Sequence, residues 1–208
     1  MTPDSSGYVP YPEPYGYALA ECTRQEARRA FDYFFSVRHE RLAHLARLVG
    51  QGGIELGHDD SSLQALNDWF VDHVTVMPGS TSGELLPPWR SVVVDISIAI
   101  GEAMIHRSST LRWALCDFGG KKHAFYHQPV ILGFSKVDPK HRLCMGTDLM
   151  VEGYAVGVVE QKGARIHHGT VEIRGVRLDL DEILSSSIAK PIDRQKFVRM
   201  VRNNLEWA

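Results

Sequence analysis

The chain has 208 residues, of which 44% are hydrophobic and 23% charged, and its formal net charge is −2. A chain of this length can bury about 70% of the surface its unfolded form exposes, so a core needs no disulfide framework to hold it. The near-neutral balance excludes wholesale electrostatic binding of nucleic acid and leaves room only for a local basic patch.

Three cysteines, Cys22, Cys116 and Cys144, are odd in number and widely spaced. Without a C-x-x-C pair, neither a zinc knuckle nor a redox pair is written, and reduced, partly buried thiols of a cytoplasmic protein are expected. Residues 1–22 carry Asp4, Glu13 and Glu21 but no Lys or Arg, the reverse of the basic start of a secretory leader. The most apolar stretch, 92–105, is broken by Asp95, Gly101 and Glu102, so no membrane span is expected.

In chain order, residues 1–22 read as an extended arm. Tyr8-Val9-Pro10-Tyr11-Pro12-Glu13-Pro14-Tyr15 alternates proline with other residues, which excludes helix and favours polyproline II. Its tyrosines either strap the arm to the domain or, as Tyr8, Tyr11 and Tyr15, meet a partner. A first helix follows, opened by a Thr23/Glu26 capping box, striped by Ala27, Phe31, Phe34, Phe35, Leu42, Leu45, Ala46 and Val49, and ended by Gly50, Gly52 and Gly53. Arg28, Arg29, Arg38, Glu40, Arg41 and Arg47 fall mostly off that stripe. A second helix is expected over about 63–74, with N-caps on offer from Asp59 to Ser62, and then a loop over 78–83.

A third helix should start at Pro88 or Trp89. Its apolar residues lie on nearly every side, which makes it the buried central helix. Beyond Ser109 the pattern changes to extended stretches over 111–116 and 123–134, a β-hairpin with Pro129 at a bulge or edge. Residues 148–156 fit a helix capped by Thr147 or Asp148 or equally a strand, and lean to the helix; 163–177 read as extended, 179–187 as a short helix, and 192–206 as a C-terminal helix. The expected organisation is thus an N-terminal arm, 1–22, and one α+β domain, 23–208, with a helical N-terminal half, a buried central helix, a small antiparallel sheet and a C-terminal helix.

The most suggestive chemistry lies on the third helix. Asp95, Glu102 and His106 share one face at spacings of seven and four, and Glu102 and His106 can reach a common ion. They are candidates for a catalytic acid–base or metal-assisted centre. The competing reading is a polar seam ion-paired with neighbours such as Arg107, Arg112, Lys121 or Lys122, because buried carboxylates need partners. His123 and His127, four apart on one strand face, would sit roughly 13 Å apart, too far to share an ion. Cys116 reads as an inert buried thiol. Neither a G-x-S-x-G elbow, an H-E-x-x-H helix nor a phosphate loop occurs, so no cofactor is expected. Lys190, Arg194, Lys196, Arg199 and Arg202 make the last helix locally basic.

Thr23-x-x-Glu26-Ala27 with the following aromatic pair, Ser61-Ser62-Leu63-x-x-Leu66-x-x-Trp69-Phe70, Asp95-x5-Gly101-Glu102 and Arg112-Trp113 resemble a group of uncharacterised small bacterial proteins, over about 23–134. In size and style that group is similar to cytosolic immunity proteins, which protect a bacterium from a toxin. The resemblance implies a cytoplasmic protein partner and transfers no site residues. The expected function is therefore a non-enzymatic protein-binding protein of immunity type. The alternatives are a hydrolase centred on Asp95, Glu102 and His106, and a nucleic-acid-binding regulator using the C-terminal helix.

Overall fold

The computed structural model describes residue 3 and residues 7–12, 19–76, 85–137, 142–162, 170–173, 176–179 and 191–208. The expected loop over 78–83, the helix expected over 179–187 beyond its first residue, and Tyr15 lie outside these.

Helix α1 spans Arg24–Gly50 and opens on the expected box. The Thr23 backbone N–H donates to Glu26 Oε2 at 2.8 Å and the Glu26 N–H donates to Thr23 Oγ1 at 3.3 Å, so two otherwise orphaned donors are satisfied. Helix α2 spans Asp60–His73, capped by Asp59, whose Oδ1 accepts from the Ser62 N–H at 2.8 Å. Helix α3 spans Pro87–Arg107, and its prolines occupy the first turn, where no N–H is needed.

Helix α3 is central. Val92, Ile96, Ile98, Ile100, Ala103 and Met104 are completely buried, each of the larger ones worth about 1.5–3 kcal/mol in transfer from water. It packs against α1 and against two further helices, α4 (Thr147–Gln161) and α5 (Lys196–Leu205). Around it an aromatic cluster joins the elements: Trp89 meets Trp69 at 5.5 Å, and Phe70 meets Phe197 at 5.6 Å. The buried Asn67 of α2 accepts from the Phe197 N–H at 3.0 Å and donates to Tyr154 Oη at 3.1 Å, tying α2, α4 and α5 by satisfied polar groups.

The hairpin forms with shorter strands than expected. β1 (Arg112–Leu115) pairs antiparallel with β2 (Pro129–Leu132), with Trp113 opposite Ile131. Pro129 is the first residue of β2, a position that needs no ladder donor. Residues 123–128 are turn rather than strand, so His123 and His127 do not share a strand face. Gly119 and Gly120, with φ of 76° and 64°, turn the chain back at once. Met145 adds an isolated bridge to Ile131. A second antiparallel pair, β3 (Thr170–Ile173) with β4 (Val176–Asp179), begins within the 163–177 stretch read as extended and runs on to Asp179, which is strand where a helix was expected to start. No helix among the described residues is long and apolar enough to cross a membrane.

The helix expected near 148–156 is α4, and its caps differ from expectation. Gly146 is the N-cap and makes no side-chain cap bond, so Thr147 and Asp148 lie in the first turn. Asp148 is mostly enclosed and its Oδ1 has no hydrogen-bond partner among the described residues. Burial pushes its carboxyl up to about 6. A folded-state value above the ordinary one means stability falls as pH rises from about 4 to about 6, with the full penalty above that. Asp148→Asn should therefore stabilise the protein by about 1–2 kcal/mol near neutral pH and by almost nothing near pH 4, which thermal melts across that range will read.

Candidate functional site

The carboxylate of Asp95 has no exposed surface, yet it is fully partnered. Arg41 of α1 grips it with both prongs, Nε to Oδ1 at 2.8 Å and Nη2 to Oδ2 at 2.8 Å. The Tyr8 hydroxyl donates to Oδ2 at 2.5 Å. Arg41 also donates through Nη1 to the Val9 carbonyl at 2.8 Å and through Nη2 to Tyr8 Oη at 2.7 Å, and its guanidinium lies 5.3 Å from the Tyr8 ring centre. Burial pushes the Asp95 carboxyl up, and the Arg41 guanidinium and the Tyr8 hydroxyl pull it back. For Arg41, burial works against the charge and the Asp95 carboxylate more than restores it. Burial and the Asp95 charge raise the Tyr8 phenol. The Tyr11 N–H donates to Ser91 Oγ at 2.8 Å. Residues 8–11 are thus strapped across α1 and α3, with Tyr8 and Tyr11 part-buried and Val9 half-exposed.

Glu102 and His106 belong to other neighbourhoods. Glu102 Oε1 accepts from Trp113 Nε1 at 2.9 Å and from Arg38 Nε at 3.3 Å. His106 is exposed and stacks on His58, ring centres 4.7 Å apart, in a surface cleft lined also by Asp59, Asp60 and Arg107. Asp60 there is bonded by Arg107 at 2.6 Å and by Arg202 at 2.6 Å, which holds its carboxyl below the usual range. The stripe is real on the helix, but its three polar ends engage three different sets of partners. The cations that meet the two carboxylates are Arg41 and Arg38, not the expected Arg107, Arg112, Lys121 or Lys122. Arg107 goes to Asp60 and Lys121 to Glu21.

A different cluster assembles elsewhere. Among the described residues, one group of three His, Cys, Asp or Glu side chains brings its ligand atoms within 4.8 Å of one another: Cys116, His123 and Cys144. Cys116 follows β1 directly, its N–H donating to the Gln128 carbonyl and its carbonyl accepting from His127 N–H. His123 closes the Gly119-Gly120 turn, and its Nδ1 lies 3.7 Å from Cys116 Sγ. Cys144 precedes the Met145 bridge. Burial pushes both thiols up, Cys144 to about 12 with the neighbouring Cys116 adding to it. No spacing pattern marks this group, because its members are seven and twenty-one residues apart and meet only in the fold.

The third feature is a cleft of about 690 Å³ between α4 and the start of α5. Leu149, Met150, Tyr154 and Val158 give it an apolar floor, and Lys196, Arg199 and Asp193 stand at its edge. Gly153 and Gly157, one turn apart, also line it, and a Cβ built on either meets none of the described residues within 4 Å. The basic residues of the last helical segment are largely matched by acids. Arg194 pairs with Asp68 and Asp72, Arg199 with Asp193 and Arg202 with Asp60. Helix α5 itself is shorter than expected, beginning at Lys196 rather than Ile192.

No family model matches this chain, and neither a curated protein nor a solved structure matches it significantly.

Proposed function

We propose that this protein is a non-enzymatic, cytoplasmic protein-binding module that seats an apolar segment of its partner in the α4–α5 cleft. The observation that carries this reading is the glycine pair. Glycine in an exposed helix interior costs about 0.8–1 kcal/mol relative to alanine. Gly153 and Gly157 incur that cost at two successive turns where an alanine Cβ would touch none of the described residues. A local choice that opposes its own helix without a packing reason among the described residues fits a surface kept low for an incoming chain. The apolar floor supplies the area such a chain would bury, and Lys196 offers it a positive charge. Cys116 and Cys144, which carry free thiols, suit a reducing compartment. By its resemblance to immunity-type proteins, the partner we propose is a toxin.

Gly157→Leu should fill the cleft. The wild-type chain used as bait in a lysate of its native source should recover one stoichiometric protein, and the variant should lose it. The variant's thermal midpoint should hold or rise by about 1 kcal/mol equivalent, because leucine is the better helix former. Recovery of the same protein by both baits, or of none by the wild type, removes the reading. A captured partner that arrests growth alone, and not when this chain is co-expressed, would identify it as the toxin.

A further inference from the structure

We infer that Cys116, His123 and Cys144 form a binding site for a zinc-class divalent cation, with its fourth coordination position left to water or an exogenous ligand. The inference is independent of the partner-binding cleft.

Distance is the first support. Zinc holds thiolate sulfur at about 2.3 Å and imidazole nitrogen at about 2.0–2.1 Å, so a tetrahedral angle sets S and N about 3.6 Å apart. Cys116 Sγ and His123 Nδ1 are 3.7 Å apart. The two thiols lie within hydrogen-bonding reach of each other, and all three ligand atoms fall within 4.8 Å. Two thiolates and one imidazole form a soft donor set, which selects zinc-like ions over magnesium or calcium.

Positioning is the second. His123 is clamped edge-to-face between Phe118 at 5.4 Å and Phe125 at 5.8 Å. The Phe125 N–H donates to His123 Nδ1 at 3.2 Å, so that nitrogen carries a lone pair rather than a proton, and an ion takes that one lone pair over from the amide. Gly119 has φ of 76°, and a Cβ on it would lie 2.8 Å from His123 Cβ and Cδ2, so the ring can lie against the turn only because this residue is glycine. Gly146, two residues after Cys144, plays the same part for Phe125, whose ring a Cβ would meet at 2.4 Å. The three ligands are thus held by the hairpin, by the turn and by the Met145 bridge to Ile131 before any ion arrives.

Chemistry is the third. Binding releases the two thiol protons to solvent, leaves two thiolates to balance a divalent charge and changes no oxidation state. No fourth His, Cys, Asp or Glu among the described residues joins the group. Cys116 is buried while His123 and Cys144 are part-exposed, so the remaining position faces outward. Three protein ligands with one exchangeable position is the arrangement of reactive rather than closed zinc sites.

The test is cobalt titration of the full-length chain, reduced and stripped of metal. One equivalent of Co²⁺ should produce a thiolate-to-cobalt charge-transfer band in the near ultraviolet together with the visible bands of tetrahedral cobalt, and Zn²⁺ should erase both. Cys116→Ser, Cys144→Ser and His123→Ala should each abolish the charge-transfer band or cut the affinity sharply, and Cys22→Ala should leave both unchanged. Circular dichroism establishes that each variant is folded. Should one of them fail to fold, the zinc-edge X-ray absorption of the wild-type protein decides, with a shell of two sulfurs and one nitrogen expected. A cobalt spectrum without the sulfur band overturns the inference. So does a Cys116–Cys144 disulfide that, once reduced, leaves a protein taking up no cobalt.

Discussion

Replacing Arg41 with methionine should lower the stability of the folded protein by about 3–5 kcal/mol, because it leaves the Asp95 carboxylate buried with only the Tyr8 hydroxyl for company. Against a total of about 5–15 kcal/mol for a natural domain, that is a large fraction. The Val9 carbonyl loses its donor in the same step, so the arm should loosen and become sensitive to limited proteolysis. The sign of the pH dependence follows from burial. Without Arg41, the Asp95 carboxyl is pushed further up, the folded state holds a proton more tightly than the unfolded one, and the loss of stability grows as pH rises above about 4. The variant should therefore compare best with the wild type in mild acid. Pairing Arg41→Met with Asp95→Leu should recover much of the loss, since an apolar pair removes both desolvation costs together. Urea unfolding of the single and double variants measures all of this. A single-variant loss below about 1 kcal/mol, or strict additivity in the double, would mean that the bidentate pair does not hold the arm.

That network also shows where reading the sequence stops. Helix α1 was legible at its start, because a capping box is local chemistry that four residues complete among themselves. Helix α3 was legible as the core, because apolar residues on every side leave it nowhere else to go. Asp95 is legible as a carboxylate on a buried helix. Its partner was not identified, because Arg41 lies off the α1 stripe and reads as solvated. It is only 3% exposed because the 8–11 arm and α3 close over it. A buried Asp on one helix predicts a cation somewhere. Which of the 23 Lys and Arg residues supplies it is a tertiary fact.

The Cys116, His123 and Cys144 group was illegible for a related reason. Spacing rules detect ligands that share a helix face or flank one knuckle, and here three segments each supply one. The available hint lay in the glycines. Gly119 and Gly120 stand before His123, and Gly146 stands after Cys144. Glycines bracketing potential ligands mark places where backbone and rings approach closely, but sequence alone does not say what they approach. Reading 123–134 as one strand, with His123 at its start, also placed that ring on the wrong element. Tyr8 and Tyr11 of the arm both take part in the strap, Tyr8 through Arg41 and Asp95 and Tyr11 through Ser91.

The Gly101–Trp113 contact should give the second large effect. A Cβ on Gly101 would lie 2.2 Å from Trp113 Cζ2 and 2.6 Å from Cη2, deep inside van der Waals contact. The indole cannot simply swing away, because Phe34 packs on it edge-to-face at 5.0 Å and its Nε1 donates to Glu102. Gly101→Leu must therefore expel the ring or separate α3 from β1, at a cost of about 3 kcal/mol or more. Trp113→Ala should cost about 3–5 kcal/mol through the cavity it leaves and the donor lost to Glu102. The two changes are complementary in shape. A leucine grown from position 101 enters the space that the indole vacates, so the double variant should be more stable than the sum of the two losses allows, by about 1–3 kcal/mol of favourable coupling. Unfolding midpoints of the four proteins close the cycle. Additive losses would show that Gly101 is not reserved for the Trp113 ring.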